Sequence, residues 1–145
     1  MALKFFEIQK KIYLADTDVT GIAYYARHLE WLEMARVELI AKIYKPLTRM
    51  ISEDGISFIP INVNLTYKAP AVFEDLVTIK VRIKEVAKIR LLLGYEVTKK
   101  VNDQEVVVAE ADISMLCVNI AKGSKPAKIP PYLIEILEGW ESKID

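Results

Sequence analysis

One stretch of this chain carries a long helical period, and four stretches after it alternate apolar and polar residues. Over 26–44, Leu29, Leu32, Leu39, Ile40 and Ile43 gather on one side at about 100° per residue, while Arg27, Glu30, Glu38 and Lys42, with Lys45 just beyond, gather on the other. Trp31 and Val37 widen the apolar stripe, so this helix is expected to be more enclosed than a surface helix. From Ile59 the period becomes two. Ile59, Ile61, Val63, Leu65 and Tyr67 alternate with Pro60, Asn62, Asn64, Thr66 and Lys68, and the same rhythm returns at 77–84, 91–97 and 107–115. An earlier strand is expected from Leu3 to Leu14, with Phe6, Ile8, Ile12 and Leu14 on one face. A lone long helix buries its stripe most simply if a mainly antiparallel sheet curls around it, which makes the class α+β with two layers.

The connections agree with that order. A short helix is expected near Pro46 to Asp54 with a turn at Gly55, and Asn102-Asp103 supplies a hairpin turn between the last two long strands. The polar, proline-containing run from Lys122 to Pro131 ends the last strand before a short helix around Tyr132 to Leu137. With no repeat or linker, residues 1–145 read as one domain.

Several function classes fall away on composition. The 20 lysines and arginines balance 20 aspartates and glutamates, so no broad field draws the chain to nucleic acid or to an anionic membrane. Cys117 is the lone cysteine and His28 the lone histidine, which excludes an intrachain disulfide and metal sites built from several of either; no cofactor is expected. No Gly-x-Ser-x-Gly elbow is present, and a serine–histidine triad would have to run through His28. Lys4, Glu7, Lys10 and Lys11 interrupt the first apolar residues and no uncharged run reaches transmembrane length, so the expectation is a cytoplasmic protein without a membrane partner.

Arg36 falls inside the apolar stripe with Glu33 three residues before it. A partly buried ion pair is the structural expectation, and a catalytic Glu33 the sharper alternative. The segment Ala15-Asp16-Thr17-Asp18-Val19-Thr20-Gly21-Ile22-Ala23-Tyr24-Tyr25 sets carboxylates just ahead of the helix start, where free N–H groups and the positive dipole end point outward. Such a place suits an acyl carbonyl oxygen with a carboxylate nearby, and it equally suits an ordinary helix cap and turn.

The pattern Asp-Thr-Asp-x-x-Gly-Ile-x-Tyr-Tyr, followed by Trp31, Glu33, Ala35 and Arg36, resembles the signature of the 4-hydroxybenzoyl-CoA thioesterase family of hotdog-fold acyl-CoA thioesterases. Tyr67-Lys68-Ala69-Pro70-Ala71, Asp75-x-Val77 and Lys125-Pro126-x-x-Ile129-Pro130 are similar to further segments of that family, in the same order. The resemblance implies a hotdog fold, a long central helix wrapped by a curved antiparallel sheet of about five strands. It implies acyl-CoA hydrolysis with Asp18 as nucleophile or general base and the Tyr25 backbone N–H on the thioester oxygen, and a homodimer or homotetramer. Some relatives carry histidine where this chain has Tyr25.

Around that pair, Gly21 is expected to let the backbone approach substrate and Asp16 to serve the turn. His28 stands either as a substrate contact or as a helix residue with a local hydrogen bond. Tyr24, Phe58, Ile61 and Val63 are candidate acyl-pocket residues, and Lys122 and Lys125, with Lys88, Arg90 and Lys128, are candidate partners for CoA phosphates. Two other readings stay open: hydrolysis of acyl-carrier-protein thioesters, and a non-catalytic acyl-CoA binding protein in which Asp18 is only a cap.

Overall fold

Seventeen residues, Arg27–Ile43, form helix α1, and Trp31, Leu32, Ala35, Leu39, Ile40 and Ile43 are buried along it. The computed structural model describes residues 2–145. The strands are β1 (Phe6–Lys11), β2 (Ile56–Tyr67), β3 (Leu76–Val86), β4 (Arg90–Val101), β5 (Gln104–Asn119) and the two-residue β6 (Lys125–Pro126). They form one antiparallel sheet in the order β1-β3-β4-β5-β2, with β6 added beside β5. Val77, Ile79, Val81 and Ile83 of β3, Leu91, Leu93, Tyr95 and Val97 of β4, and Ala109, Ala111, Ile113, Met115 and Cys117 of β5 are all buried and share one core with α1. This is the α+β arrangement that the change of hydrophobic period anticipates.

The turns follow their residues. Asn102 and Asp103 both take positive φ, 52° and 63°, as a tight hairpin between twisted strands requires. A single turn α2 (Leu47–Arg49) runs into a π-helical turn over Met50–Asp54, which Gly55 closes at φ 71°. Asp54 accepts hydrogen bonds from the hydroxyls of Tyr44 (2.6 Å) and Tyr132 (3.1 Å) and pairs with Lys45 at 3.3 Å. That knot ties the end of α1 to the start of α3 (Pro131–Glu138), whose Leu133 and Leu137 join the core with Trp140. No helix among the described residues is long and apolar enough to cross a membrane.

Four expectations need correction. The first strand stops at Lys11, because the Asp16 carboxylate accepts the Tyr13 N–H at 2.8 Å and closes a 3-10 turn that leaves Leu14 exposed. Leu29 is exposed on the first turn of α1, and His28 and Ala35 occupy the buried face instead. Glu33 points to solvent, and no ion pair joins it to the half-buried Arg36 among the described residues. The apolar residues of β2 do not share one face. The register shifts between Pro60 and Asn62, so a bulge at Ile61 separates Ile59 from Val63, Leu65 and Tyr67, which lie opposite the inward-facing Ile113, Ala111 and Ala109. As an edge strand with a neighbour on one side only, β2 leaves Ile59, Ile61, Val63 and Tyr67 at 38%, 44%, 45% and 46% exposure.

Leu39 is fully buried in the C-terminal half of α1. Leu39→Ala should therefore lower unfolding free energy by about 2–5 kcal/mol, read as a lower urea midpoint with an unchanged slope; a loss below about 1 kcal/mol would contradict this core assignment.

Candidate active site

The loop from Thr17 to Ala26 is held at both ends by backbone bonds. Thr17 and Ala23 face each other across a small bridge, the Asp18 N–H donates to the Ile22 carbonyl at 3.0 Å, and the Gly21 N–H returns to the Asp18 carbonyl at 3.0 Å. Gly21 sits at φ 80°, which a side chain would strain. The loop is then pinned to the β2–β3 connection: Ile22 bridges Val72, and the Ala23 N–H donates to the Ala71 carbonyl at 2.7 Å. That connection is itself braced by Lys99, which donates to the Pro70 carbonyl at 2.7 Å and pairs with Asp75 at 2.9 Å.

Asp16 serves this scaffold. Its carboxylate holds Tyr13 and Lys10, and its carbonyl accepts the Tyr24 N–H at 2.7 Å. Burial of Asp16 opposes ionisation, but the Tyr13 N–H and the Lys10 ammonium outweigh it and lower the pKa. Asp18 is exposed, and its Oδ1 accepts both the hydroxyl and the N–H of Thr20, the latter at 2.8 Å. The Thr20 hydroxyl, then its N–H, hold the Asp18 carboxyl below its ordinary range, so it is ionised at neutral pH. Oδ2 has no partner among the described residues.

Helix α1 starts without a side-chain cap at Ala26. The N–H groups of Tyr25 and Ala26 find no acceptor among the described residues, while those of Arg27, His28 and Leu29 close the first turn. Beside them lies a cleft of about 270 Å³ lined by Ile22, Tyr25, His28, Tyr67 and the Ala69–Ala71 wall. His28 is 3% exposed, with its ring 4.5 Å from Trp31 and edge-on to Tyr67 at 4.9 Å. Its Nδ1 has no partner, so the expected local hydrogen bond is not formed there. Burial pushes the His28 pKa down to about 4, leaving a neutral imidazole in the cleft wall. Tyr24 stacks at 4.8 Å on Tyr25, whose phenol, followed by burial and the Asp18 charge, raises the Tyr24 pKa.

Of the candidate residues only Tyr25 and His28 line the cleft itself, while Asp18, Gly21 and Tyr24 stand on the loop just before it, so these five are near one another in the fold. Ile61 is not, standing six residues along β2 from Tyr67, about 20 Å at strand rise. Lys122 and Lys125 flank the far end of the sheet, where Asn119 pairs with both Ile56 and Lys125, some 35 Å along the strand from Tyr67. Tyr67, which the sequence placed in a strand face and in the Tyr67–Ala71 segment without a site role, also lines the cleft: its hydroxyl donates to the Tyr25 carbonyl at 2.7 Å. Its signal was a tyrosine, a ring with a polar tip, as the last residue before the Lys68-Ala69-Pro70 turn. Among the described residues no group of three His, Cys, Asp or Glu side chains could hold a metal ion.

The family description "Thioesterase-like superfamily" matches residues 12–137. The chain belongs to the thioesterase-like superfamily. This thioesterase is 24% identical over 125 residues to the acyl-CoA thioesterase YbgC of Haemophilus influenzae, covering 86% of this chain and 88% of the relative. It is 31% identical over 113 residues to the long-chain acyl-CoA thioesterase FadM of Escherichia coli K12, covering 78% of this chain and 82% of the relative. Its fold matches the crystal structure of a 4-hydroxybenzoyl-CoA thioesterase complexed with 4-hydroxybenzoyl-CoA at a TM-score of 0.86, with 21% identity, covering 93% of this chain and 99% of that one. The hotdog fold is therefore present, and the chain is a thioester hydrolase.

An imidazole kept neutral by burial makes a pH signature. Between its ordinary pKa of 6.5 and about 4, the unfolded chain takes up a proton at His28 that the folded thioesterase refuses, so stability is full above 6.5 and falls as pH drops through that window. The contribution is at most about 3 kcal/mol. Urea unfolding of wild type and His28→Phe at pH 7 and pH 4 should show a larger acid loss in the wild type; equal losses would place the imidazole in water.

Proposed function

We propose that this chain hydrolyses acyl-CoA thioesters in the cleft beside the start of α1, with Asp18 supplied by the loop that leads into that helix. The observation that carries the reading is the pair of unpartnered backbone N–H groups, Tyr25 and Ala26, beside that cleft and close in sequence to an ionised carboxylate with a free oxygen. The Tyr25 N–H, with the Ala26 N–H beside it, takes the thioester carbonyl oxygen, and the positive end of the helix dipole stabilises the charge that grows there. Asp18 either adds to the carbonyl carbon, giving a mixed anhydride that water then opens, or takes a proton from the water that adds. In both routes the C–S bond breaks, CoA leaves as the thiolate and is protonated, and the acid is released. The relatives' acyl-CoA substrates support this substrate class. The neutral His28 serves as wall and substrate contact, while Gly21 shapes the preceding loop and Tyr24 packs beside Tyr25.

The working unit in this reading is a homodimer joined along β2, with a tetramer built from two such pairs. An open edge carrying Ile59, Ile61 and Val63 favours antiparallel addition of a second β2. A two-fold axis near Ile61 brings the Ile56 end of one copy beside the Tyr67 end of the other. Lys122 and Lys125 of each copy then reach the CoA phosphates bound at its partner's cleft, which restores the role their sequence suggests. The reading carries with it one domain over 1–145 and a cytoplasmic location, the latter supported by a single cysteine that is free and buried.

Steady-state hydrolysis of short, long and aromatic acyl-CoA esters tests the chemistry. Asp18→Asn is expected to keep its circular dichroism spectrum and lose about 100-fold or more in kcat, while wild-type kcat/KM stays level from pH 8 down to the carboxylate range because Asp18 is held ionised. Asp18→Asn turning over like wild type would leave the cleft as a binding site only. Assembly is tested by Ile61→Lys. The expected outcome is a monomer by light scattering with CoA-ester KM raised at least tenfold, and an unchanged dimer would remove β2 as the interface.

A further inference from the structure

The oxygen-binding donors at the start of α1 have an unusual support. A serine or aspartate cap would satisfy N–H groups at the start of a helix with its own side chain, occupying groups that the proposed reaction needs. Here the cap position is Ala26 and no side chain bonds to the first turn. The turn is held from the carbonyl side instead, by the Tyr67 hydroxyl on the Tyr25 carbonyl at 2.7 Å, across 42 residues of sequence. The helix's own bond to that carbonyl, from the His28 N–H, is long at 3.4 Å.

We infer that Tyr67 is a positioning residue for thioester hydrolysis, its hydroxyl fixing and strengthening the backbone donors that receive the thioester oxygen. This rests on the reading given under Proposed function. The Tyr25 carbonyl and the Ala26 N–H belong to one peptide group, and a hydrogen bond accepted by the oxygen draws electron density from the nitrogen, making its N–H a better donor. The same bond fixes the plane of that peptide relative to the cleft, a requirement for donors that must be in place before charge develops.

Tyr67 is well placed to impose this geometry because three contacts hold it. Its backbone ends β2 opposite Ala109, and the next two N–H groups, Lys68 and Ala69, both donate to the Val108 carbonyl at 2.8 and 3.1 Å. Its ring meets the His28 ring edge-on at 4.9 Å, and His28 in turn packs on the buried Trp31. The phenol thus joins the rigid end of the sheet to the reacting end of the helix. Burial, and then the Tyr25 phenol, raise the Tyr67 pKa, so the hydroxyl is a donor throughout the neutral range.

The test compares wild type, Tyr67→Phe and Asp18→Asn with the acyl-CoA ester that wild type turns over fastest, alongside the ¹⁵N resonance of the Ala26 amide. Tyr67→Phe keeps the ring and loses the donor. Its kcat is expected to fall about 3- to 10-fold with KM changed less than twofold, an unchanged unfolding midpoint, and an upfield Ala26 ¹⁵N shift. A Tyr67→Phe protein with wild-type kcat beside an inactive Asp18→Asn overturns the inference and leaves the site reading standing. Activity retained by Asp18→Asn, or absent from wild type, overturns both. If Tyr67→Phe loses its folded spectrum, 3-fluorotyrosine at position 67 replaces it: the more acidic donor is expected to hold or raise kcat below its own pKa, and a lower kcat overturns the inference.

Discussion

A single long helix must find all of its cover in a single sheet, and this constraint organises the whole molecule. Trp31, Leu32, Leu39 and Ile43 need an apolar surface on the sheet side, and the inward residues of β3, β4 and β5 supply it in three parallel rows. Because the sheet bends to enclose the helix, the N-terminal turn of α1 comes up against the β2–β3 connection. There the Ala23 N–H meets the Ala71 carbonyl, and backbone groups of the first turn are left facing a cleft. The open start of the helix is therefore a by-product of how its other end and its flank are buried.

Within that frame, electrostatics divide the titratable groups near the cleft by their solvent contact. Asp18 stays charged because it is exposed and Thr20 donates to it twice, whereas His28 stays neutral because the core surrounds it. In the proposed reaction, an ionised Asp18 and backbone donors at the helix start suit a substrate that brings a neutral thioester and develops negative charge on oxygen.

Most of the fold was legible in the amino-acid order because hydrophobic period is a local property, and the long helix, the strands of the sheet and the Asn102-Asp103 turn all follow from it. The motif before Tyr25 likewise marked the helix start. What period cannot express is a slipped register: the bulge at Ile61 leaves no mark on alternation, so Ile59 and Val63 read as one face when they occupy two. Nor does it distinguish an edge strand from a central one, which is why Ile61 and Val63 looked like pocket or core. Distance along a sheet was equally hidden, so nothing in the sequence showed that Lys122 and Lys125, read as partners for CoA phosphates, lie about 35 Å of strand from Tyr67 in one chain. Tyr67 lay in a recognised segment but received no site role, because its bond joins a side chain to a main-chain carbonyl 42 residues away, a pairing that local sequence does not express.

The bulge also acts as a parity counter. Before it, residue numbers on paired β2 and β5 positions sum to an odd value, Pro60 with Met115, and after it to an even one, Asn62 with Ser114. Were Ile61 absorbed into an ordinary ladder, Tyr67 would stand opposite Val108 instead of Ala109 and its ring would turn to the far side of the sheet. Removing Ile61 altogether leaves Tyr67 facing the helix, whereas one residue added between Asn62 and Tyr67 turns it away. Tolerance to insertion and deletion along this strand is thus set by odd and even count rather than by the chemistry of the residue added.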